Sequence, residues 1–279
     1  MSGPRVLIIE GNTAEVRQRQ IAALGYDSGT GYAWTLQRLE PNLLCDIVYP
    51  TDAEPTLPAG MSLTSYLGVA ITGSALNIYD GGAAIARQIT LVQAIFAAGI
   101  PTFGSCWGLQ LAATAAGGLV RRNARGREFG FGRRITLTQA GQAHPMYAGK
   151  PSVFEAPTVH IDELVTPPSG AIVLAQNDMG IQAVTFTHHR GTFWGVQYHP
   201  EYGYRDIAAI GDRYGSRLVD DGLFANTADL SQYIRELREL DANPGHKSLL
   251  WKYGIGPCVS DPDLRLTELR NWLRYQVIR

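Results

Sequence analysis

The sequence predicts an α/β fold, a mostly parallel central sheet sandwiched between helices, and three stretches carry that prediction. Arg5 to Glu10 is a continuous apolar run, the mark of a parallel strand covered on both faces. Tyr66 to Ile71 is a second strand of that kind, and Thr72-Gly73-Ser74-Ala75 follows at its C-terminal end, where ligands sit in open α/β sheets. The third stretch is Gly99 to Ala116. A short apolar run enters it, Gly104-Ser105-Cys106-Trp107-Gly108 turns, and Leu109 to Ala116 leaves as a helix.

The other elements follow in order. Gly11 to Thr30 is polar and long for a strand-to-helix loop, with room for a short helix over Thr13–Leu24. Gly31 to Leu39 predicts a helix that ends before Pro41, and Cys45 to Tyr49 a strand, with a loop over Pro50–Pro58. Ala83 to Ala98 predicts a helix stopped by Gly99-Ile100-Pro101. Gly118 to Arg134 is rich in Gly and Arg. It can be an anion-binding cluster, a solvated face or a pocket wall, although its glycine spacing fits no phosphate loop. Strands are expected over Arg134–Thr138, Ser152–Ala156, Ala171–Ala175, Ala183–Thr187 and Thr192–Gln197, with a loop over Gly141–Lys150.

From Tyr204 the pattern turns helical. Tyr204 to Asp220 has helical spacing, and Asp229 to Leu240 is amphipathic, with Thr227 or Asp229 as its cap. Trp251 and Tyr253 follow, and Leu264, Leu266, Leu269, Trp272, Leu273 and Val277 form a stripe. The expected division is residues 1–203 as the α/β domain and 204–279 as a helical extension packed on it. A lid or a homodimer surface are further roles open to the extension.

Composition narrows the function. Lys and Arg number 24 against 25 Asp and Glu, so a net charge of −1 gives no electrostatic case for nucleic acid or an anionic membrane. The cysteines Cys45, Cys106 and Cys258 are odd in number and widely spaced, which suits a reducing compartment. Val6 to Ile9 is only a strand's length, too short for a signal h-region, and no apolar run is long enough to span a bilayer. A cytoplasmic location is expected.

The chemistry centres on Cys106. Glycines flank it because a Cβ would clash in so tight a turn. The end of the following helix favours thiolate, and the Trp107 N–H can donate to an oxyanion. Read alone, Cys106 could equally be a small buried apolar residue. Gly195-Val196-Gln197-Tyr198-His199-Pro200-Glu201 tilts the balance. In extended chain His199 and Glu201 share a face, which supplies a base and its orienting carboxylate.

GSCWGLQ followed by GVQYHPE resembles the class I (triad) glutamine amidotransferases, in particular the free-standing GMP-synthase-like group, over roughly Arg5 to Glu201. The resemblance implies a flavodoxin-like sheet and glutamine hydrolysis with Cys106, His199 and Glu201 as nucleophile, base and orienter. Thr72-Gly73-Ser74-Ala75 resembles the family's Gly-Gly-Pro oxyanion loop, with Ser74 N–H as the second donor and Ala75 in place of proline. By the same resemblance Gly73 and Gln110 bind substrate, and Arg127 and Glu128 belong to a Gly-x-Glu-x-Gly pocket wall. His160 and Asp162 belong to a His-x-Asp stretch near the site. The family needs no cofactor and no metal, and His160, Asp162, His188 and His189 match no standard zinc spacing. Residues 204–279 are too few for a synthetase, so ammonia would pass to a partner enzyme in trans. A stand-alone hydrolase of larger γ-glutamyl amides uses the same triad, and a weakly active regulatory subunit is a further alternative.

Overall fold

The computed structural model describes residues 3–278. Eleven strands are present among them: β1 (Arg5–Ile9), β2 (Leu44–Val48), β3 (Gly68–Ile71), β4 (Thr102–Ser105), β5 (Leu119–Arg122), β6 (Glu128–Leu137), β7 (Val153–His160), β8 (Asp162–Thr166), β9 (Ile172–Asn177), β10 (Gly180–His188) and β11 (Gly191–Val196). Nine of them form one sheet in the order β2-β1-β3-β4-β11-β10-β9-β6-β7, while β5 and β8 pair separately. The half from β2 to β11 is parallel, as the apolar runs predict, and the half from β11 to β7 is antiparallel.

The first four helices are α1 (Ala14–Leu24), α2 (Ser28–Leu39), α3 (Ala83–Ala98) and α4 (Trp107–Ala115). α2 starts three residues before the expected Gly31, because Asp27 caps it by accepting the Thr30 N–H. Gly99 ends α3 in the left-handed conformation, as its place beyond the last apolar turn predicts. Within the Gly/Arg-rich stretch, Leu119–Arg122 is β5 and residues 123–127 turn, and β6 begins at Glu128, not Arg134, with a bulge between Gly132 and Ile135. Glu128 to Gly132 are strand because they pair with β7, a tertiary effect that overrides poor local propensity, and only Thr136 and Leu137 beyond them pair with β9.

Part of the expected loop over 141–150 is ordered as α5 (Gln139–Ala143), capped by Thr138, and a 3₁₀ turn, Pro145–Tyr147. The later helices are α6 (Tyr204–Tyr214), α7 (Ser216–Asp220), α8 (Thr227–Ala242), α9 (Lys247–Lys252), α10 (Pro257–Ser260), α11 (Pro262–Arg265) and α12 (Thr267–Trp272). The cap of α8 is Asn226, whose side chain accepts from the Ala228 and Asp229 N–H groups, one residue ahead of the expected Thr227.

Burial separates three apolar clusters. α3 and α4 cover one face of the parallel half, where Val92, Ile95 and Leu109 meet Leu7, Ile9 and Ile71. On the other face Leu36 and Tyr32 of α2 are joined by Leu266, Leu269, Trp272, Leu273 and Val277. The C-terminal stripe therefore completes a layer of the sheet. α6, α8 and α9 form a third cluster against Phe131 of β6 and Val159 of β7. Among the described residues no helix is long and apolar enough to cross a membrane.

Candidate active site

Cys106 stands between β4 and α4 with φ +53° and ψ −103°, a conformation that L-residues rarely adopt. Its own N–H donates to Val196 O (2.8 Å), which locks the turn onto β11. The flanking glycines are required sterically. A Cβ on Gly104 would lie 2.5 Å from the Gly108 carbonyl carbon, and one on Gly108 would lie 2.5 Å from Ile71 O. The Trp107 indole is pinned beneath the turn by donating to Gln88 Oε1 (2.9 Å). The Cys106 side chain is buried, with Sγ 3.6 Å from Val159 O.

His199 and Glu201 arrive from the end of β11 on one face, as the extended spacing predicts. His199 Nδ1 lies 2.7 Å from Glu201 Oε1, and the pair is nearly fully buried. Because the carboxylate accepts, Nδ1 carries the proton and Nε2 is left for the Cys106 side. Burial works against a charged imidazole, but Glu201 and Cys106 outweigh it and push His199 up to about 10. The imidazolium is thus the form held across neutral pH.

Three neighbours lay outside the sequence-based expectation. Ser105 Oγ donates to Glu201 Oε2 (3.0 Å) and is itself 3.1 Å from Tyr32 OH, so Glu201 is held from both sides. The Tyr202 ring stacks on His199 at 4.0 Å and 8° between planes. Asn12 ties the turn after β1 to the turn after β3. The available signals were weak: Ser105 inside the Gly-rich turn, and Tyr202 directly after His-Pro-Glu.

Gly73 lies against the imidazole, where a Cβ would come 2.6 Å from His199 Cε1. Ser74 Oγ donates to Gly11 O (2.8 Å) and accepts the Leu76 N–H (3.1 Å). Cys106, His199, Glu201, Gly73, Ser74 and Trp107 are therefore brought together. The remaining candidates are engaged elsewhere. Gln110 is buried one turn into α4 and donates to Gln197 Oε1 (3.3 Å). Glu128 accepts from Asn177 Nδ2 (2.8 Å) and lies 2.9 Å from His160 Nε2, while His160 Nδ1 donates to Asp162 O (2.9 Å). The Asp162 carboxyl accepts from Tyr79 OH (2.8 Å), and burial raises its pKa. Arg127 pairs with Asp221 (2.7 Å) and packs over the Tyr214 ring.

A cavity of about 320 Å³ opens on His199, Gly73, Ser74 and Tyr202 and runs outward between α1 and α6, past Leu24 and Ile210.

Residues 26–207 match the model of the class I glutamine amidotransferase family. The chain is 35% identical to a γ-glutamyl-L-1-hydroxyisopropylamide hydrolase of Pseudomonas sp., over 98% of this chain and 93% of that protein. It is 30% identical to a glutamine-hydrolysing GMP synthase of Nitrosomonas eutropha over 77% of this chain, but spans only 40% of that protein's length. Among solved structures, a glutamine amidotransferase of Thermotoga maritima covers all of both chains with a TM-score of 0.69 at 19% identity, a likeness of fold.

Proposed function

Because the chain belongs to the class I glutamine amidotransferase family, we propose that it hydrolyses the amide bond of γ-glutamyl amides through Cys106, His199 and Glu201. The observation that carries the chemistry is the buried His199–Glu201 pair, 2.7 Å apart, beside a cysteine held at positive φ. Cys106 Sγ attacks the γ-carbonyl carbon and its proton rests on His199. Trp107 and Ser74 N–H groups donate to the oxyanion. His199 gives the proton to the departing amine as the C–N bond breaks, leaving a γ-glutamyl thioester. Water then loses a proton to His199 and attacks the thioester. The C–S bond breaks, glutamate leaves, and the Cys106 thiolate and the protonated His199 are restored. Glu201 orients His199 and stabilises its charge. By the family resemblance Gln110, Arg127, Glu128, His160 and Asp162 would bound the glutamyl side, behind the residues that line the cavity, with their polar groups already paired.

The preferred leaving group is an amine larger than ammonia. Likeness to the Pseudomonas hydrolase extends over nearly the whole of both chains, C-terminal helices included, whereas GMP synthases match only part of their length. The cavity beyond His199 also supports this, since ammonia needs no more space than one water, about 15 Å³. Glutamine hydrolysis with ammonia passed to a synthetase is the second reading, favoured by the GMP-synthase likeness. Turnover of glutamine and a series of γ-glutamyl alkylamides by the purified chain separates the two. Faster cleavage of the alkylamides without any partner is the expected result. Activity on glutamine alone, raised by an added synthetase, would establish the second reading.

A further inference from the structure

The turn after β1 contains a buried side chain that the mechanism above leaves unused. Asn12 is 4% exposed, and its amide faces the loop that follows β3. Its Oδ1 accepts the Ala75 N–H (3.0 Å), and its Nδ2 is 3.3 Å from Gly73 O. These contacts bracket Ser74, one on each side. The orientation of the amide is fixed by its partners. The Ala75 N–H can only donate, and the Glu10 carboxylate, 3.0 Å from Nδ2, accepts. Glu10 also accepts the Asn12 N–H (2.9 Å) and the Gly29 N–H, so the first residue of the bracket is tied to β1 and to α2. A proline at position 75 would fix its own φ but would have no N–H to offer. With alanine there, the N–H exists and Asn12 takes it.

We infer that Asn12 is a positioning residue, which sets the Gly73-Ser74-Ala75 backbone so that the Ser74 N–H meets the developing oxyanion; this rests on the triad reading above. The loop has other ties. Thr72 Oγ1 accepts the Gly11 N–H (3.0 Å) and Ser74 Oγ donates to Gly11 O (2.8 Å), which hold it to the same turn. Those contacts fix where the loop lies. Asn12 grips the donor's own peptide group at Gly73 O, beside Thr72 Oγ1 (2.9 Å), and the next peptide group at the Ala75 N–H, and so sets how the donor points. Oxyanion contacts exist fully only in the transition state, so losing the bracket lowers kcat more than it raises KM.

The test is Asn12→Ala in the full chain, assayed with glutamine and a γ-glutamyl alkylamide beside Cys106→Ala. Alkylation of Cys106 by iodoacetamide is the control, because that reaction passes through no oxyanion. The expected result is a kcat about 10- to 100-fold lower, somewhat less than loss of a whole oxyanion donor, with KM changed by under about threefold. The alkylation rate at Cys106 should match wild type. A kcat within about threefold of wild type would overturn the inference. So would an alkylation rate that falls in step with kcat, since that is general disorder of the site.

If Asn12→Ala does not fold, Asn12→Asp serves instead. It keeps an acceptor for Ala75 but sets a second carboxylate beside Glu10. Burial pushes Glu10 up to about 7, against the hydrogen bonds from Asn12 and Gly29, and the charge on Asp27 raises it further. Arg17 reaches the same turn at Asn12 O (2.7 Å), and Tyr49 OH bonds Asp27 (3.2 Å). Lowering the pH puts a shared proton between the two carboxylates, which restores a donor beside the loop, so kcat relative to wild type should rise as the pH falls. A flat ratio overturns the inference. Turnover retained by Cys106→Ala removes the triad reading, and the inference with it.

Discussion

Glu10 and Glu268 are both wholly buried carboxylates, one at each end of the machinery that holds the site, and they are compensated differently. Glu268 has a cation. Lys150 Nζ lies 2.9 Å away with both side chains almost fully buried, and Tyr198 OH donates to the other oxygen (2.6 Å). Lys150 also donates to Leu264 O (3.0 Å), and Asn271 donates to Met146 O and Ala148 O. This network fastens α12 to Tyr198, the residue before His199. Glu10 is held instead by N–H donors from Asn12 and Gly29, and the nearby charge of Asp27 opposes it. A paired charge anchors architecture. A carboxylate held only by dipoles titrates near neutrality, and it sits under the loop whose geometry matters for chemistry.

The comparison can be broken most forcefully at the paired end. Lys150→Met leaves Glu268 buried without a cation, and the expected loss is about 3–5 kcal/mol of unfolding free energy in urea. A loss under about 1 kcal/mol would mean that water or a rearranged neighbour already carries the charge. The unpaired end is sharpened by Glu10→Gln, whose stability should be followed against pH beside wild type. Glu10 is raised from 4.5 to about 7, so the folded state binds the extra proton between these values. Its contribution is fully present below about pH 4.5 and is lost as pH rises to about 7. The deficit of the variant should therefore shrink over that window, by up to about 3 kcal/mol at 1.36 kcal/mol per unit. A deficit that is constant or grows with pH would place the Glu10 carboxyl below that window. The smallest effect is expected at an exposed pair, Arg134 with Asp178, whose side chains are 75% and 82% accessible. Asp178→Asn should change stability by no more than about 0.5 kcal/mol, which shows that burial, not ion pairing as such, sets the scale.

How much of this was legible in the sequence follows from the range of the interactions. The elbow, the His-Pro-Glu strand end and the parallel half of the sheet were legible because each is encoded within a few residues: glycines around a cysteine, period-two spacing, continuous apolar runs. β6 was legible only in part, since Gly130 and Gly132 weaken it locally and pairing with β7 and β9 creates it. The stripe from Leu264 to Val277 was plain, but its destination was not. Nothing in its spacing says that Trp272 will meet Phe103 beneath β4. Glu10 closes an apolar run in full view. Its role depends on where Asn12 and Gly29 fold back, and Ser105 and Tyr202 likewise gain meaning only once β4 and β11 lie side by side.

The most direct test of the account is to look for the covalent intermediate. The full chain is mixed with a γ-glutamyl alkylamide, quenched in acid within the first turnover, digested and mapped by mass spectrometry. The account predicts one γ-glutamyl group on the peptide carrying Cys106, absent from Cys106→Ala and lost from wild type as glutamate appears. A γ-glutamyl group on any other residue, or full turnover by Cys106→Ala with no adduct, would contradict it.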